Sequence, residues 1–149
     1  MLISWKNYTA IILAKAAIEH SVPTFLYISA SSGAPMLPSR YISTKRDAER
    51  ILPTLSEKMR TISLRPAILY DSTRLLSLPV AMASGIISTL NSITGRRIPI
   101  LNTVGQKPLA VSTVASAAFE AIDEPDVNGI LDIADMEKLA EKEWRKGML

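Results

Sequence analysis

Two short β-forming runs set around one helical stretch leave this chain few folds to choose from. "TFLYISA", Thr24 to Ala30, is a nearly continuous β-forming run, the pattern of a strand buried on both faces of a parallel sheet. "RTISLRPAILY" holds a second such strand, Thr61 to Leu64, ended by Arg65-Pro66 and followed by a return toward Tyr70. Between them, "RYISTKRDAERILPTL" carries Tyr41, Lys45, Ala48, Ile51 and Leu52 at helical spacings, with Pro53 as its kink or stop. Strand, helix and strand in that order predict a right-handed βαβ unit, and so an α/β fold with a parallel sheet.

The flanking segments agree with that class. From Asn7 to His20, Ile11, Ala14 and Ile18 form one apolar helical stripe with Lys15 and Glu19 beside it, and Val22-Pro23 ends the helix. Ser31 to Ser39, with Gly33, Pro35 and Pro38, reads as a loop. After Ser72 come an apolar helix, "LLSLPVAMASGIISTLNSI", the turn doublet Arg96-Arg97 and a short extended "IPIL". "LAVSTVASAAFEAID" follows as an alanine-rich helix that Ser112 or Thr113 would cap. "NGILDIAD" reads as a glycine-initiated strand, and Met136 to Lys146 as a charged amphipathic helix.

Composition removes several functions. With 48% hydrophobic residues in 149, the chain has material for one modest core. Cysteine is absent and His20 is the only histidine, so disulfides, thiolate metal sites and a Ser-His-Asp triad have almost nothing to work with. A net charge of +3 is mildly basic, yet Lys45-Arg46 and Arg96-Arg97 are isolated doublets and aromatics are sparse, which argues against a nucleic-acid partner. The apolar stretch Leu78 to Leu90 is too short to span a bilayer. The first eighteen residues lack acids but also lack arginine and pass into a patterned helix, so they read as mature structure.

One constellation carries chemistry. Residues four apart lie on one helical face, so Tyr41 and Lys45 are expected in one site. A phenol is a weak acid with a pKa of ~10, and a nearby ammonium favours its ionised form. Such a tyrosine can exchange a proton with a carbonyl or hydroxyl. Serines at the C-terminal end of the preceding strand would lie where open α/β sheets bind ligands. Each element also has a structural reading: Ser29, Ser31 and Ser32 as turn formers, Arg65 as a strand end paired with a carboxylate, and His20 as a helix C-terminal residue.

"FLYISAS", "YISTKRDAE" and "LRPAILY", in this order, resemble the second half of the short-chain dehydrogenase/reductase superfamily in its extended and atypical branches. "PLAVSTVASAAFEAI" and "GILDIAD" resemble its later segments, so the likeness covers most of the chain. "YISASSGAPMLPSRYISTKRDAE" is similar to the fungal mitochondrial NAD(P)-binding branch associated with coenzyme Q biosynthesis, itself related to an NADPH-binding accessory subunit of respiratory complex I. The resemblance implies NAD or NADP as cofactor, with Tyr41 as proton donor or acceptor and Lys45 on the nicotinamide ribose. Ser31, with Ser29 as the alternative, would orient the substrate oxygen, and Pro66 would sit near the nicotinamide. It further implies mitochondrial location, a coenzyme Q biosynthetic complex as partner and peripheral inner-membrane contact.

The superfamily's phosphate-binding glycine turn has no counterpart here, since the six glycines are never closer than ten positions apart. The expected architecture is therefore the C-terminal part of a Rossmann-type sheet, without its glycine-rich βαβ half. Residues 1–74 would form the partial core and 75–149 a substrate-lobe-like segment with a late strand and terminal helix. A strand meant for the interior would then lie at an exposed edge, through which the chain could self-associate. Two functions stand against each other: an NAD(P)-dependent oxidoreductase or epimerase, and an accessory or assembly protein of a mitochondrial membrane complex.

Overall fold

The computed structural model describes residues 5–31, 38–71 and 107–147. The segment expected to be the apolar helix, the doublet Arg96-Arg97, "IPIL", most of the loop after Ser31 and residues 75–106 of the substrate-lobe-like segment lie outside the described residues, as does the boundary at 74/75. Within them the chain is mixed α/β. Helix α1, Trp5–Glu19, leads into β1, Thr24–Ile28; helix α2, Ser39–Ile51, runs through a 3-10 turn, Leu52–Thr54, to β2, Arg60–Leu64. Two-residue strands β3, Leu69–Tyr70, and β4, Leu109–Ala110, pair in parallel, and α3, Val111–Asp123, β5, Gly129–Leu131, and α4, Ile133–Lys146, follow.

The main sheet has the order β1-β2-β5, all parallel, so the two strands expected from sequence are neighbours and the late strand joins them. Central β2 is the apolar run with a strand on each side, and Thr61 to Leu64 are all buried. For β1 the expectation of burial on both faces fails. It has one partner strand among the described residues, its residues are half-buried, and Ile28 is exposed.

Alternation along the strands separates two cores. Ile62 and Leu64, with Leu26, face α3 and α4 and pack on Val114, Ala117, Ala121 and Met136. Phe25 and Tyr27 face the other way, onto Ala14 of α1, Ala48 of α2 and Leu52 of the 3-10 turn. On α1, Ala10, Ala14, Ala17 and Ile18 form the inner stripe, and small residues there let the helix lie close to α2. The helix ends where Ser21 takes a left-handed φ of 56° and Val22 donates to the Ala17 carbonyl at 2.9 Å, the closing bond of a Schellman turn.

Arg60, at the start of β2, ties the two layers together. Its guanidinium donates to the carbonyls of Ala121 (3.1 Å), Ile122 (2.6 Å), Val127 (2.9 Å) and Glu124, and to the Thr24 hydroxyl. These carbonyls belong to the end of α3 and the turn beyond it, where a helix presents partial negative charge and unpaired acceptors.

Two helix starts differ from expectation. α3 begins at Val111, directly out of β4, with extended Ala110 at the cap position and no capping side chain, so Ser112 and Thr113 lie inside the first turn. α4 begins three residues before Met136, because Asp132 accepts from the amides of Ala134 and Asp135 while the Asp135 carboxylate accepts from the Asp132 amide.

Candidate functional site

Helix α2 carries Tyr41, Lys45 and Glu49 at steps of four, one stripe turned toward the C-terminal ends of β1 and β2. Tyr41, Thr44 and Lys45 form one wall of a cavity of about 370 Å³; Thr9, Ala10 and Leu13 of α1 form another, and Phe25, Leu26 and Tyr27 of β1 close it. The expected Tyr41–Lys45 pair is thus brought into one site. The Lys45 ammonium donates to the Ile28 carbonyl at 2.7 Å and sits 4.6 Å from the Tyr27 ring centre and 5.8 Å from that of Tyr41. Both rings offer it their π-electron faces at cation–π range.

Tyr27 had no assigned role in the sequence reading, yet its phenol faces the same stripe. Burial, then the neighbouring Tyr41 and Glu49, push its pKa up to about 12, so it stays a neutral hydrogen-bonding group across ordinary pH. Thr44 is spent within the helix, its hydroxyl donating to the Arg40 carbonyl at 2.7 Å.

Ser29, Ser31 and Pro66 are not among the residues lining the cavity. Ser29 is buried, and its amide extends the ladder by donating to the Leu64 carbonyl at 2.7 Å. Its hydroxyl lies near Glu49 without completing a hydrogen bond. Ser31 donates its amide to the carbonyl of buried Pro66 at 2.8 Å, which sews together the chain beyond the two strands. The backbone role of these serines is therefore visible.

Below Lys45 lies a charged joint. Glu49 is almost wholly buried and takes a two-pronged bond from Arg65, Nε at 2.8 Å and Nη2 at 2.6 Å, and a further bond from Arg46 at 2.7 Å. Burial opposes its charge, but the hydrogen bonds from Arg65, the nearby Ser29 hydroxyl and the charges of Arg46 and Arg65 outweigh that and hold its pKa below the ordinary value. The same pairing raises Arg65 further. The carboxylate expected for Arg65 is thus Glu49, one helical turn beyond Lys45. The sequence signal was the continued four-residue step, but only the strand pairing reveals which carboxylate meets the arginine.

No group of three metal-ligating side chains is present among the described residues, and no described helix is long and apolar enough to cross a membrane. No protein-family profile matches the chain. A curated relative is "MIOREX complex component 2" of the yeast Saccharomyces cerevisiae, 27% identical over 119 residues. The match covers 77% of this chain and 43% of the yeast protein, so the chain spans less than half of that relative's length.

Proposed function

We propose that this chain is a docking component of a mitochondrial protein complex, built on a parallel α/β sheet of dinucleotide-binding type. The observation that carries the reading is the similarity to a protein named as a complex component, which extends over 77% of the chain. The local geometry supports it: Lys45 is bonded to the end of β1, and Arg65 and Glu49 join β2 to α2, as a rigid platform requires. Residence in the mitochondrion goes with this reading. A coenzyme Q biosynthetic complex and peripheral contact with the inner membrane are its more specific forms. The test is velocity sedimentation of a mitochondrial extract containing the tagged chain. Cosedimentation in a species far heavier than its own 16.3 kDa is expected, and sedimentation as a free chain would sink the proposal. Quinone extraction from a deletion strain examines the coenzyme Q form separately.

A second reading is favoured by one observation, the meeting of Tyr41 and Lys45 in one cavity at the end of β1. On it the chain is part of an NAD- or NADP-dependent oxidoreductase or epimerase related to short-chain dehydrogenases. Tyr41 would exchange a proton with a carbonyl or hydroxyl oxygen, Lys45 would meet the ribose, Ser31 or Ser29 would orient the substrate oxygen, and Pro66 would sit near the nicotinamide. The fit is partial. The described glycines, Gly129 opening β5 and Gly147 ending α4, do not form the strand-to-helix turn that seats a pyrophosphate. Thermal unfolding with NADPH tests binding. Complementation of a deletion strain by Tyr41→Phe tests catalysis: full rescue would exclude proton transfer by Tyr41.

A further inference from the structure

Strand β1 has a bonded side and an open side, and the hydrogen bonds identify which residues belong to each. The carbonyl of Pro23 and the amide of Ser29 both bond to β2, so odd-numbered residues turn their polar backbone groups inward along the ladder. By the alternation of a strand, Thr24, Leu26 and Ile28 turn theirs outward. Ile28 confirms the alternation, because its carbonyl receives the Lys45 ammonium from outside the sheet. Among the described residues no strand lies on this side.

The cavity follows the same edge. Phe25, Leu26 and Tyr27 are consecutive and point alternately to opposite faces, so a space touching all three runs along the strand's rim. Leu13 of α1 forms part of its wall and is 56% exposed. Among the described residues, the cavity's lining contains one cation, Lys45, and no carboxylate. A second copy of the chain is a poor occupant: a two-fold pairing of β1 with β1 would bring two hollows face to face and fill neither.

We propose that the open edge of β1 receives an extended segment of a partner polypeptide, added as a strand on Thr24 and Leu26. That segment presents an aliphatic side chain to the cavity and an acidic side chain to Lys45. Backbone bonding supplies the adhesion, the cavity selects the side chain, and the ammonium at Ile28 marks the end of the available ladder. This rests on the docking reading above and specifies its interface.

The test uses the full chain and fluorescent peptides that alternate valine and threonine, one ending in glutamate and one in lysine. A third peptide, ending in glutamate, is N-methylated at alternate residues. The glutamate peptide is expected to bind about tenfold more tightly than the lysine peptide, as one net charge pair allows. Lys45→Glu should invert that order, N-methylation should abolish binding, and Leu13→Glu should weaken the glutamate peptide. Equal binding of the two charges, indifference to N-methylation, no peptide binding, or a dimer that excludes peptide would each overturn the proposal. Sedimentation of Leu13→Glu in the mitochondrial extract separates the two levels. If this variant fails to bind peptide but stays in the heavy species, the docking reading survives and the edge is the wrong surface. If the wild-type chain sediments free, the docking reading itself fails.

Discussion

Replacing Glu49 by glutamine tests whether the charged joint holds α2 against β2. The change keeps the side chain's shape but removes the charge that faces Arg46 and Arg65. A fully buried ion pair costs about 3–5 kcal/mol to break, whereas exposed pairs contribute about 0–1 kcal/mol. Here the carboxylate side chain is 2% exposed while the arginines are 28% and 29% exposed, so water can recover part of their solvation. An intermediate loss of about 2–3 kcal/mol follows, or roughly 5–10 °C in melting temperature for a chain of this size. The pH dependence identifies the cause. Because the folded-state pKa of Glu49 lies below its ordinary value of 4.5, its stabilisation is fully present above that value and is lost as pH falls through the folded pKa. Thermal melts of both proteins should therefore differ by the full amount at neutral pH and converge in acid. Glu120, whose pKa is also lowered, chiefly by the hydrogen bond from Lys146, titrates in both proteins and cancels from the difference. Equal stability at neutral pH, or a gap that persists unchanged in acid, would refute the assignment of this energy to the Glu49 charge.

Two other perturbations probe separate parts of the structure. Arg60→Met keeps the apolar stem but strips the donors from four carbonyls around the end of α3, and urea unfolding should report a loss of about 2–4 kcal/mol, since bonds to charged groups each contribute about 1.5–3 kcal/mol and some carbonyls regain water. Arg60→Lys should restore less than half, because one ammonium cannot reach the whole fan; full restoration would contradict the multidentate role. For Tyr27, the ultraviolet titration signal lost in Tyr27→Phe should have its midpoint near 12. A midpoint at the unperturbed value of ~10 would mean that the phenol is not held in its neutral form by burial.

The fold was legible where local pattern and tertiary context agree. The apolar run before Arg65 became central β2, and the i, i+4 step of Tyr41 and Lys45 produced a shared site, because both depend on periodicity alone. The helix starts were harder. Ser112 and Thr113 have capping chemistry, but β4 pairs with β3 up to Ala110 and delivers the chain into α3 before either can act. "GILDIAD" joins a strand to a helix within a few residues, and aspartate at Asp135, rather than glutamate or glutamine, completes the capping box. β1 reads as an interior strand by composition, and nothing local to Thr24–Ile28 announces that among the described residues only one neighbour pairs with it. The partner of Arg65 was likewise hidden, since Glu49 meets it through the packing of α2 on the sheet.

The two functional readings make different demands on one ammonium. Lys45 sits where β1 ends, bonded to an outward carbonyl and flanked by two aromatic rings. A catalytic lysine at that point must turn donors toward a ribose while Tyr41 meets the reacting oxygen. An edge lysine instead satisfies the last free carbonyl and prevents further pairing beyond it. The observed bond to Ile28 serves the second demand directly. A sheet that carried this lysine for catalysis would therefore already possess a terminator for its open edge.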